Sequence, residues 1–237
     1  MIGLGTIINV AGIIAGGIIG RFGGKLLSER VQDTVGKACG VCVLMLGVGG
    51  AMEGMLSVTD GKVSSGGSML MVVSLALGAL VGELCNIEGL FERFGQWLKV
   101  KTGNAKDPKF VDGFVTASLT VCIGAMAVVG AIEDGIAGNY SVLATKAVLD
   151  FIIVMVMACS LGWGCVFSAL PVGVVEGLLT LLARLIRPIM TDVALGNLSF
   201  IGSVLIFCVG INLVFGQKVR VANLLPALVF AVIPAYF

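Results

Sequence analysis

GFVTASLTVCIGAMAVVGAIEDG, residues 113–135, sets the class of this protein. From Phe114 to Ile132 it holds no charged residue; Glu133 and Asp134 follow at once. At 1.5 Å of rise per residue, a helix of that length matches a bilayer core about 30 Å thick. Part of the stretch recurs upstream. VCVLMLGVGGAMEG (41–54) aligns with VCIGAMAVVGAIEDG (121–135) at an offset of 80, with Val-Cys on Val-Cys and Gly-Ala-Met-Glu on Gly-Ala-Ile-Glu. Gly16 and Gly20 fall on Gly78 and Gly82 at an offset of 62, and Leu27-Ser-Glu-Arg30 on Leu90-Phe-Glu-Arg93 at 63. A polar insert at 101–109 accounts for the growing offset. The pattern predicts one membrane domain, 1–237, with repeat units 1–56 and 67–134. A third unit, 141–216, enters through FCVGINLVFG (207–216), and a C-terminal span covers 219–237.

Composition agrees. Of 237 residues, 58% are hydrophobic and 12% charged, 35 are glycine, and mean hydropathy is +1.09. Fifteen basic and 14 acidic side chains are too few to cover a soluble domain. A net charge of +1 gives no long-range attraction for nucleic acid. There is no histidine, which excludes Ser–His catalysis, haem ligation through imidazole and histidine proton relays. The seven cysteines lie in or beside apolar stretches and read as small buried hydrophobes, the Cys39-x-x-Cys42 pair included. An enzyme is not expected, nor any cofactor or metal site.

The expected fold is an all-α polytopic membrane bundle. Seven apolar segments are long enough to cross: 3–20, 36–56, 68–84, 114–132, 143–170, 198–215 and 221–236. Three further stretches, 22–35, 87–100 and 171–187, read as amphipathic interfacial helices, although 171–187 also serves as a candidate eighth span. No basic residue precedes Arg21, so the first apolar run reads as a retained span. Eleven of fifteen basic residues lie on or beside the amphipathic stretches. By the positive-inside rule that face is cytoplasmic, the N-terminus outside and the C-terminus inside.

Polar groups within spans are expensive and mark candidate pathways. Asn9 lies in the first span, and Thr116, Ser118 and Thr120 in the fourth. Lys146 and Asp150 open the fifth, four residues apart, so each softens the other's desolvation. These six are the candidate midplane site for a small solute or ion. Glu53 and Glu133, at matching repeat positions, are candidates for an outer mouth that attracts cations. The alternative is a structural or regulatory membrane protein whose hydroxyls and amides only fasten helices. Gly12, Gly16 and Gly20, like Gly78 and Gly82, have the spacing that lets helices cross closely; a homodimer through such faces is a further expectation.

GTIINVAGIIAGGIIG (5–20), GFVTASLTVCIGAMAVVGAIEDG (113–135), TKAVLDFI (145–152), GWGCVFSALP (162–171) and NLLPAL (223–228) carry a resemblance over essentially the whole length. The chain resembles the YdfK/YqgA-like family of bacterial inner-membrane proteins, a domain of unknown function. The resemblance implies a multi-span bacterial protein, loosely described as a possible transporter, with no established substrate. It implies no catalytic or binding residues.

Overall fold

The computed structural model describes residues 2–59, 61–122, 125–188 and 190–236. Among them the chain is almost wholly helical, as expected of a polytopic membrane protein. The helices are α1 (Leu4–Lys25), α2 (Glu29–Met55), α3 (Ser68–Cys85), α4 (Ile87–Lys101), α5 (Phe110–Cys122) and α6 (Ala125–Ala137). They continue with α7 (Ser141–Leu161), α8 (Ala169–Leu181), α9 (Ala183–Ile186), α10 (Asp192–Phe215), α11 (Val221–Leu224) and α12 (Pro226–Val232). A short antiparallel hairpin, β1 (Leu56–Thr59) and β2 (Lys62–Ser65), joins α2 to α3 with Leu56 opposite Ser65.

Among the described residues five helical stretches are long and apolar enough to cross a membrane: Leu4–Lys25, Glu29–Met55, Ser68–Cys85, Ser141–Leu181 and Asp192–Phe215. The pair α5 and α6, bent by 63° relative to each other, makes a sixth if it counts as one span. By length and composition alone these stretches do not confirm the expected count of seven. The last segment, Val221–Tyr236, is shorter, because Pro226 starts a fresh helix after α11.

The amphipathic stretches fare differently. The expected helix at 87–100 is α4, which buries Leu98 and leaves Leu90, Phe94 and Trp97 exposed. The stretch 22–35 is no separate helix; it is divided between the end of α1 and the start of α2 by a turn at 26–28. The stretch 171–187 forms α8 and α9. A 3-10 segment, Gly162–Ser168, joins α7 to α8 within the apolar stretch Ser141–Leu181, and α8 turns back antiparallel to α7. α8 buries Ala169, Val172, Glu176 and Thr180, so its polar face turns inward.

The chain forms two compact units. The first contains Met1–Cys39, Leu90–Cys122 and Met126–Pro188; the second contains Gly40–Gly89, Ile123–Ala125 and Ile189–Phe237. In the first, α1 runs parallel to α7 along a ladder of glycines. A Cβ at Gly12 would lie 3.0 Å from the Ala147 carbonyl oxygen. One at Gly16, Gly20 or Gly24 would lie closer still to the carbonyls of Phe151, Met155 and Cys159. Glycine every fourth residue on one helix thus meets a carbonyl every fourth residue on the other. Ile13, Phe110, Phe114, Leu143 and Met157 fill this unit's core.

In the second unit the glycine seam is antiparallel. Gly40, Gly47 and Gly54 of α2 lie against Leu213, Phe207 and Phe200 of α10. Gly78 and Gly82 of α3 lie against Ala227 and Asn223. Elsewhere large apolar side chains such as Ile7, Met69, Leu80 and Leu84 face outward, which suits a lipid-facing surface.

Candidate functional site

The candidate site lies in the first unit and begins at the start of α1. The first N–H groups of a helix have no partner within it. One of them, Gly5 N–H, donates to Oδ2 of Asp134 on α6 at 2.9 Å. A carboxylate there is also favoured by the positive end of the helix dipole. Asp134 is fully buried, and its other oxygen, Oδ1, has no hydrogen-bond partner among the described residues.

α8 runs back along α1 and brings a second set of polar groups. Ala169, Val172, Glu176 and Thr180 share one face because they recur every three or four residues. The hydroxyl oxygens of Thr6 and Thr180 are 3.5 Å apart. One turn further along α1, Asn9 Nδ2 donates to Glu176 Oε1 at 2.8 Å. Asn9 Oδ1 and Glu176 Oε2 are buried without a partner among the described residues.

α7 completes the cluster. Lys146 and Asp150 lie on its buried face, and the Lys146 ammonium donates to Asp150 Oδ2. The same ammonium donates to the Val121 carbonyl at 2.8 Å and lies 3.6 Å from Glu176 Oε1. Val121 is in the last turn of α5, where carbonyls lack helical partners and a cation is favoured. Asn9, Lys146, Asp150 and Glu176 are all at most 5% exposed. Two carboxylates and one ammonium leave this quartet one formal negative charge in excess. Charges removed from water are costly unless paired and hydrogen-bonded, so the excess calls for a compensating positive charge.

Three of the six candidate midplane residues, Asn9, Lys146 and Asp150, thus converge. The fourth span contributes differently from expectation. Thr120 Oγ1 donates to the Thr116 carbonyl of its own helix at 2.8 Å, Thr116 is half-buried, and Ser118 Oγ is buried without a partner among the described residues. The helix supplies the Val121 carbonyl, and among the described residues no hydroxyl of the three bonds to the quartet. Glu53 is exposed on α2 in the second unit. Glu133 is half-buried on α6 in the first and accepts from Asn139 Nδ2 at 3.1 Å. Among the described residues Glu133 makes no hydrogen bond or ion pair with the quartet. Glu176 was not among the candidates. Its signal is a polar pair, Glu176 and Thr180, in register with Ala169 and Val172 on an otherwise apolar helix. Among the described residues no three acidic or thiol side chains are grouped to hold a metal ion.

Residues 4–236 match the model of a family described as protein of unknown function (DUF554). The uncharacterized membrane protein YdfK of Bacillus subtilis (strain 168) is 30% identical over 224 residues, which cover 94% of this chain and 92% of that protein. The uncharacterized protein YqgA of Escherichia coli (strain K12) is 28% identical over 232 residues, covering 96% and 94%. No solved structure matches the chain.

Proposed function

The chain belongs to the DUF554 family, and on that premise we propose that it carries a small cation through its first unit, with the quartet of Asn9, Lys146, Asp150 and Glu176 as the binding site. One observation carries the reading: a buried cluster with one carboxylate more than it has ammonium groups, and two acceptor oxygens with no partner among the described residues. An intramembrane cluster of this kind is costly to keep for packing alone. Lys146 acts as a tethered cation. Its ammonium occupies the place between Asp150, Glu176 and the Val121 carbonyl, and an incoming cation competes with it for those oxygens. The 63° bend between α5 and α6 supports the reading, since broken helices end in free carbonyls at transporter sites.

The basic residues that end α1 and flank α4 support a bacterial inner-membrane orientation with these ends cytoplasmic and the N-terminus outside. The test is flux of monovalent cations and protons into liposomes holding purified protein. Wild type should move a cation, and Asp150→Asn should abolish the movement. Unchanged flux in that variant removes Asp150 from the mechanism.

A further inference from the structure

The groups between the start of α1 and the quartet follow an order. Asp134 sits against Gly5, Thr180 against Thr6, and Glu176 against Asn9. Gly5 and Asn9 are four residues apart, about 6 Å along the helix axis. All the side chains involved are buried, and three acceptor oxygens along this line have no partner among the described residues: Asp134 Oδ1, Asn9 Oδ1 and Glu176 Oε2. Asp134 is therefore more than a cap for α1. Its second oxygen has no role in capping and is fully enclosed.

Resting on the reading above, we infer that the cation taken by the quartet is the proton, and that it travels between Asp134 and Glu176 through the hydroxyls of Thr6 and Thr180. The transfer balances. A proton on Asp134 Oδ1 passes to a threonine hydroxyl, which releases its own proton onward. Glu176 Oε2 accepts the last one, and Asp134 is left a carboxylate. The oxygen count separates the proton from a metal cation. Hard metal cations take about six or more oxygen ligands. The richest position on this line, between Asp150, Glu176 and the Val121 carbonyl, is occupied by the Lys146 ammonium. A proton needs only a single acceptor oxygen, such as the unpartnered Asp134 Oδ1 or Glu176 Oε2. The titratable groups facing the line are Asp134 on α6, Lys146 and Asp150 on α7, Glu176 on α8 and the Cys122 thiol at the end of α5. The buried face of α1 brings none.

The experiment uses the full chain in liposomes loaded with a pH-sensitive dye, in sodium-free buffer, with an imposed inside-negative potential. Wild type should acidify the lumen. Asp134→Asn, which keeps an oxygen for Gly5 N–H, should cut the rate to about a tenth or less, as removing a relay carboxylate should. Thr180→Val, which keeps the shape and removes the hydroxyl, should also slow it several-fold and serves if the first variant folds poorly. Thr145→Ala, an exposed hydroxyl bonded to its own helix, is the unchanged control. Proton flux that both Asp134→Asn and Thr180→Val leave intact overturns the relay and spares the transport reading. So does flux of sodium or potassium without protons in a parallel assay that supplies those ions. No flux of any cation in wild type overturns the transport reading and the relay with it.

Discussion

The seam between α1 and α7 in the first unit and the seam between α2 and α10 in the second are closed by the same residue, glycine. In both, helix backbones approach to distances that a Cβ would block. Their polar contents differ. The first seam leads to a buried ammonium and two buried carboxylates. Along the second, Ser203 turns its hydroxyl to the Ser199 carbonyl of its own helix at 2.8 Å, and no charged side chain is buried there among the described residues. Glycine and a self-satisfied serine are enough to close a membrane seam. The second seam closes without such a cluster, and that contrast motivates the proposed function of the quartet.

Changes to the two seams can break or sharpen this contrast. The largest effect is expected from Lys146→Met, which leaves Asp150 and Glu176 without their shared cation; stability in detergent should fall by about 3–5 kcal/mol. Gly20→Ala comes next. Its Cβ meets the Met155 backbone carbonyl, which cannot step aside, and a loss of about 3 kcal/mol should follow in thermal unfolding. Glu176→Gln should be milder, within about 1 kcal/mol, because the amide oxygen still accepts from Asn9 and the remaining Lys146–Asp150 pair is balanced. The smallest effects belong to hydroxyls that serve their own helix. Ser203→Ala in the second seam and Thr120→Ala in α5 should each stay within about 0.5 kcal/mol. A Ser203→Ala loss as large as that of Lys146→Met would erase the difference between the seams.

Much of this arrangement is legible in the sequence. The apolar segments are present as helices, and glycines four apart do mark close crossings. Asn9, Lys146 and Asp150 stand out because polar side chains on apolar helices need partners. Other features depend on tertiary structure. The stretch 22–35 looks amphipathic, yet α1 runs on to Lys25 because its ladder continues, with Gly24 against Cys159. The bend after α5 has no proline to announce it. Glu176 and Arg184 make the short stretch 171–187 look interfacial; only the return of α8 along α1 gives the carboxylate its partners. The Thr120 hydroxyl is satisfied within its own helix, as local spacing allows, so its spacing alone does not aim it at the quartet.

The central claim is that the quartet is there for a transported cation and not for fastening helices. Glu176→Gln tests it most directly when cation flux in liposomes and thermal stability in detergent are measured on the same preparation. The account predicts that flux is lost while the melting temperature stays near that of wild type. Full flux together with a sharply lowered melting temperature would contradict it and make the quartet structural.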